Sequence, residues 1–378
     1  MLLKRIHSVK NPKNIFTYIM TSLFFKDKLI TIPEEYSHKI EKIDKDVFHR
    51  LFDKVVLSCY FTGKKDPIHH ENLKDKHRII DDYKYMRPLY ESCKKLKLHL
   101  IIFHDNLSQK FIDKYSTDRI IFRQVNLTSK ISINDERFII YYEYLMKHPY
   151  EYVFSSDISD VFILKDPFRI FKYFSRRPDI DQNIVETILS TEKIKENLSL
   201  SPYQPKLTGG EKLTEEEAKR FVIGLREVNP NDYSVENLIF IGTNSIDNGP
   251  KQKTKEWFFR RKDKIKAFND ALKMHIPKYK LYTPGDFQIY NPGTILANFN
   301  SYMCFTKRFI KLLLVSCKIR EQNNWNMVLA NYICHNFLKD DYNPETYHSK
   351  YIYTGFPFNS IYQRKEDLSK CLAYVVHK

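Results

Sequence analysis

Two aspartates three positions apart, Asp157 and Asp160, follow the apolar run Tyr152-Val153-Phe154 and two serines. Carboxylates paired at the end of a buried strand can hold Mg2+ or Mn2+, hard cations that take oxygen ligands and bridge to phosphates. A cation there acts as Lewis acid and template for a diphosphate leaving group. The spacing sets a condition. Residues three apart on a straight strand point to opposite faces, so the two carboxylates share a metal only if the chain turns between them. Ser155 and Ser156 supply residue types that turns favour, although Asp and Ser also serve as plain caps and turn formers.

Other common chemistries lack their residues. None of the nine glycines are spaced G-x-G, and Gly63-Lys64 has Ser58 where a phosphate-binding loop needs its first glycine. No G-x-S-x-G or H-E-x-x-H segment occurs. The six cysteines form no C-x-x-C pair and read as reduced core thiols. His69-His70 and His77 lack the cysteine or carboxylate spacing of a zinc site, and His104 reads as structural.

The elements that must position the aspartates are regular. Val55–Phe61 is a continuous apolar run, the pattern of a strand buried on both faces. Asp81–Lys95 reads as a helix, Leu98–Phe103 as a strand, Ser108–Tyr115 as a short helix and Arg119–Val125 as a strand. A helix capped by Asn134 follows, with Asp135 and Glu136 at its positive end, and then the strand before Asp157. Strands alternating with helices imply βαβ units, an α/β fold with a mostly parallel sheet. In such sheets ligands sit outside the carboxyl ends of the strands, so the clusters at 62–66, His104-Asp105 and 157–160 should converge on one crevice. Further on, Leu238–Gly242 reads as a strand, Tyr290–Gly293 as a loop, and Phe305–Cys317 and Asn324–Asn336 as helices.

This order of motifs resembles a GT-A fold glycosyltransferase, the class that uses nucleotide-diphosphate sugars. Asp157-Ile158-Ser159-Asp160 stands where that family carries D-x-D, and Asp160-Val161 with Asp166-Pro167 resembles the run that follows it. Cys59–Pro67 resembles the base- and ribose-binding start, Asn291-Pro292-Gly293 the N-x-G loop under the sugar, and the segment at Gln322 and Asn326 the D-Q-x-x-x-N helix start. The resemblance implies a GT-A-like Rossmann-type sandwich with a mostly parallel central sheet, an N-terminal extension and a helical insertion. It implies a metal-dependent hexosyltransferase-like enzyme moving a sugar to a hydroxyl acceptor on a glycan, protein or lipid. Asp157 and Asp160 would bind Mn2+ or Mg2+, with His348 as third-ligand candidate. Thr62, Asp66, Asp157, Asn291, Gln322 and Asn326 would bind nucleotide or donor. Asp286 and Glu321 are the base candidates, with Asp247 beside them; a retaining enzyme needs none.

Four segments follow: a basic extension at 1–50, a nucleotide-sugar half at 51–170, a helical and basic insertion at 171–285, and an acceptor-side half at 286–378. The charge, 62 Lys+Arg against 46 Asp+Glu for a formal net of +16, admits other partners. Lys251–Lys266 carries eight Lys/Arg around Trp257-Phe258-Phe259, whose aromatics read as the core stripe of a basic helix. Such a stretch suits nucleic acid, but no recognition motif for it occurs, so nucleic acid is not an expected partner. It also suits an anionic nucleotide sugar or membrane surface. A non-catalytic GT-A-like binding protein or a basic nucleic-acid-binding protein is the alternative. The apolar run Ile15–Phe25 is too short to span a bilayer, and no secretory signal is evident, so the expectation is a cytoplasmic protein, peripheral to a membrane at most.

Overall fold

The computed structural model describes residues 30–41, 53–64, 80–128, 130–171, 239–243, 258–283, 289–320, 324–337, 352–353, 359–361 and 374–377. The run expected to be buried on both faces forms β1 (Lys54–Tyr60), at the middle of the sheet. It pairs in parallel with β2 (Leu100–His104) on one side and β4 (Tyr152–Ser156) on the other, and β2 pairs in parallel with β3 (Ile120–Gln124). Beyond β4 lie β7 (Tyr290–Asn298), β6 (Ile239–Thr243) and β8 (Ile352–Tyr353), in the order β3-β2-β1-β4-β7-β6-β8. Only β7 runs against the others. This is an α/β protein built on a mixed, mostly parallel seven-stranded sheet. A small second sheet joins β5 (Val161–Ile163), β10 (Val375–His377) and β9 (Asn359–Ile361).

Strand side chains alternate faces, and here both faces are apolar. Val55, Leu57, Ile101, Phe103, Val153, Ile295 and Ala297 point into one core. Their neighbours Val56, Tyr60, Leu100, Ile102, Phe154 and Leu296 point into the other. The first face is covered by α3 (Ile133–Lys147), α4 (Lys262–His275), α5 (Phe299–Cys317) and α6 (Asn326–Phe337). Phe138 of α3 meets Phe309 of α5 with ring centroids 4.2 Å apart. The second face is covered by α1 (Tyr83–Leu96), α2 (Gln109–Tyr115) and the small sheet.

Local chemistry sets the ends. Asp82 caps α1 by accepting from Lys84 N at 2.9 Å, and Ser108 Oγ caps α2 by accepting from Phe111 N at 3.2 Å. At α3 the capping position falls to Ser132; Asn134 lies inside the first turn and caps nothing. α5 begins at Phe299, earlier than its apolar pattern indicates, because Asn298 at the end of β7 accepts from Ser301 N at 2.8 Å.

The stretch 171–285 contributes to the body directly. β6 inserts into the central sheet, and α4 buries Ile265, Phe268 and Leu272 in the first core. Of the Trp257-Phe258-Phe259 group, Phe258 is buried while Phe259 is 71% exposed, and Trp257 lies outside the described residues. From the N-terminal extension, residues 30–41 cross the sheet edge, where Ile40 bridges to Val125. Ile15–Phe25 lies outside the described residues. Among the described residues no helix is long and apolar enough to cross a membrane. The described cysteines are free: Cys93, Cys317 and Cys334 are buried, Cys59 is half-buried, and Cys304 is exposed rather than core.

Candidate functional site

The order β3-β2-β1-β4 places a switch point between β1 and β4, since the chain winds outward from β1 in one direction and returns beyond it in the other. A cavity of about 360 Å3 opens at their carboxyl ends. Cys59, Phe61, Ser156 and Asp157 line it from the strand ends, and Tyr85 of α1 adds to that wall.

The turn required by the aspartate spacing is present. β4 ends at Ser156, the chain bends over 158–160, and β5 leaves into the small sheet at Val161. Ser58 Oγ donates to Ser156 O at 2.8 Å, and Asp157 N donates to Gly293 O at 2.8 Å, which fixes the start of the bend. Asp157 and Asp160 then face one imidazole, His377 of β10, whose Nε2 lies 3.5 Å from Asp157 Oδ2 and 3.8 Å from Asp160 Oδ2. Ligand atoms of the three residues all lie within 4.8 Å of one another.

Arg137 of α3 completes the wall. Its Nη1 pairs with Asp157 Oδ1, and its Nη2 donates to Pro292 O at 3.3 Å. Burial alone would raise the Asp157 pKa, but Arg137 and His377 outweigh it and hold the carboxyl well below the usual range. Asp160 is shifted upward, first by burial and then by the Asp157 charge. Burial would lower the His377 pKa, but its hydrogen bond to Asp157 and the two carboxylates raise it.

The donor set fits a divalent cation. Asp160 Oδ1 is buried and has no hydrogen-bond partner among the described residues. Asp157 divides its oxygens, Oδ1 to Arg137 and Oδ2 toward His377, so a cation would take the place of the proton between Oδ2 and the imidazole. Two carboxylates and one imidazole suit Mn2+ better than Mg2+, which prefers oxygen and water. Gly293 makes the geometry possible. A Cβ there would lie 2.5 Å from Asp157 Oδ2 and 2.9 Å from His377 Nε2.

Asn291-Pro292-Gly293 is no free loop but the first part of β7. Its register against β6 shifts between Ile241 and Gly242, so the residues after Asn291 bulge toward Asp157. Asn291 lines the cavity and accepts from Gly293 N at 2.9 Å, and Asn326 also lines the cavity. Thr62 is buried away from the cavity wall; its N donates to Asp105 Oδ1 at 2.9 Å, and Gly63 N donates to Asp105 Oδ2 at 2.6 Å. Thr62 and Gly63 of the first expected cluster are thus held by Asp105 of the second, and the third lines the cavity. His104 is structural, as expected, accepting from Leu107 N at 3.3 Å. Asp66, Asp247, Asp286, Glu321, Gln322 and His348 lie outside the described residues, as do His69, His70 and His77.

Among the described residues His377 is the imidazole brought to the aspartates, a residue not among the sequence candidates. Its signal was a short apolar run, Tyr374-Val375-Val376, ending on a polar residue, the pattern that also marks β2 and β4. Arg137 had none, being one cation among many. No protein-family model matches the chain, and no curated protein matches it. Fold and site together define an α/β protein with a carboxylate–imidazole cluster at the switch point of its sheet.

Proposed function

We propose that this protein is a GT-A-like glycosyltransferase that moves a sugar from a nucleotide-diphosphate donor to a hydroxyl acceptor, using Mn2+ or Mg2+. The observation that carries the reading is the Asp157–Asp160–His377 cluster, aimed into a cavity at the carboxyl ends of β1 and β4, with one buried carboxylate oxygen unpartnered among the described residues. Those three residues would hold the cation, which when bound supplies charge neutralisation for a diphosphate leaving group. Arg137 positions Asp157 and keeps it ionised. Cys59, Phe61 and Tyr85 offer a mostly apolar wall beside the strand ends, suited to a nucleoside. Asn291 and Asn326 offer amides to sugar hydroxyls. The single antiparallel strand beside β4 supports the reading too, since it delivers Gly293 to the cluster.

The test is a thermal-shift panel of UDP, GDP, CDP and dTDP, free and as their common sugars, with and without Mn2+. A ligand that binds only the native state raises the melting temperature by mass action. The expected result is stabilisation by one nucleotide that requires Mn2+ and disappears in both Asp160→Ala and His377→Ala. Silence across the panel, or full sugar transfer by Asp160→Ala, would reject the proposal.

A further inference from the structure

The cavity has a second end with the opposite chemistry. Arg261, just before α4, and Lys264, in its first turn, line it together with Asn134, Asn324 and Asn326. Helices α3 and α6, of 15 and 12 residues, both begin at this end and add the partial positive charge of their N-termini. Burial lowers the pKa of both cations, and like charges lower it further: Arg260 acts on Arg261, and Arg261 and Arg320 act on Lys264. The carboxyl that acts on Lys264 is Asp135, whose Oδ2 accepts from Trp325 N at 2.8 Å, whose Oδ1 has no partner among the described residues and whose pKa burial lifts to about 7. Near neutral pH it therefore balances only part of the charge. Asn134 Nδ2 and Asn324 Oδ1 in this wall are buried without a partner among the described residues. Lys264 donates to Asn324 O at 3.2 Å, which satisfies one of its protons and none of its charge.

We infer that this basic end is a subsite for an anionic group, a phosphate or a carboxylate, carried by the acceptor, with Arg261 and Lys264 as its direct contacts. The assignment to the acceptor rests on the transferase reading; the anion site itself does not. A donor diphosphate belongs with the cation at the carboxylate end, beside Arg137. The charges that shift Lys264 are Asp135, Arg261 and Arg320; Arg137 is not among them, although Asp135 feels both Arg137 and Lys264. Cations half-withdrawn from water and crowded by one another gain most from an anion that needs the same desolvation. Two members of the basic stretch Lys251–Lys266 thereby face the cavity, while Arg260, Lys262 and Lys266 are exposed.

The experiment titrates inorganic phosphate into the full chain in EDTA at constant ionic strength, followed by calorimetry. Lys264→Gln and Arg261→Gln should each weaken binding about tenfold or more, the scale of one charge-assisted hydrogen bond, while Lys264→Arg keeps the native affinity. Melting temperatures check that each variant is folded. Glucuronate in the same titration shows whether carboxylate serves as well as phosphate. Equal phosphate affinity in native, Lys264→Gln and Arg261→Gln protein overturns the anion site. Phosphate displaced by a nucleotide diphosphate with Mn2+ overturns the acceptor assignment; phosphate still bound alongside that nucleotide supports it. Lost nucleotide binding with the phosphate result intact would instead strike the transferase reading alone.

Discussion

Two clusters in this molecule are assembled from the same parts, one histidine, two carboxylates and one cation, and both lean on α3. In the first, His38 of the N-terminal segment gives Nδ1 to Glu143 at 3.0 Å and Nε2 to Glu136 at 2.8 Å. Lys64 also pairs with Glu136, and Thr128 N donates to it. In the second, His377 turns a single nitrogen toward Asp157 and Asp160, at 3.5 and 3.8 Å, and Asp160 Oδ1 has no partner among the described residues. The first is a closed knot that ties residues 30–41 to the body. The second is a set of ligand atoms held apart at a cavity. Composition therefore does not distinguish a structural cluster from a ligand-ready one; unfilled hydrogen-bonding capacity does.

The sharpest way to break this contrast is to delete one carboxylate from each cluster. Asp160→Ala should abolish the response to Mn2+ without lowering stability, since it removes a half-buried carboxyl crowded by Asp157. Glu136→Ala should do the reverse, costing about 3–5 kcal/mol in urea unfolding because it strands buried His38, while keeping the Mn2+ response. If the two variants behaved alike, the distinction would fall. Gly293→Ala comes next. Its Cβ pushes into Asp157 and His377, so Mn2+ affinity should drop about tenfold while the circular dichroism stays native.

Lys64→Gln should cost less, about 1 kcal/mol, because its ammonium is partly exposed and Glu136 retains His38 and Thr128. Unfolding at neutral pH measures it, and no loss would show that Lys64 adds nothing to the knot. The smallest effect is a pH slope. Burial would lower the His38 pKa, but Glu136 and Glu143 raise it above 6.5. Stability from protonated His38 is therefore whole below pH 6.5 and lost as pH rises through the raised value. Asp135, lifted from 3.8 to about 7, acts in the same direction over that interval. The melting temperature of His38→Gln should accordingly fall less steeply above pH 6.5 than that of the native chain. Parallel slopes would assign the pH dependence elsewhere.

Much of the sheet was legible because a strand buried on both faces has no polar alternate, and Val55–Phe61 and Tyr152–Phe154 show that directly. The position of Asp157 at a strand end followed from the same runs. The bulge at Asn291–Gly293 was not, since Asn-Pro-Gly reads as a loop and only pairing with β4 and β6 makes it strand. The run at Leu238–Gly242 was visible as a strand, observed at Ile239–Thr243, yet its neighbours β7 and β8 lie far along the chain. The basic stretch suited a nucleic acid, a nucleotide sugar or a membrane surface alike, because spacing alone could not show that Arg261 and Lys264 face the cavity.

Local pattern thus determined which segments became strands and helices, and that two aspartates would stand where a parallel sheet presents its ligands. Short-range forces suffice for that, because burial and hydrogen bonding constrain each segment according to its own side chains. Which histidine joins those aspartates, which arginine holds Asp157 ionised and which cations stand opposite were decided only when β10, α3 and α4 packed around one switch point. Those contacts join residues from the beginning, middle and end of the chain, and their geometry depends on the packing of both cores at once.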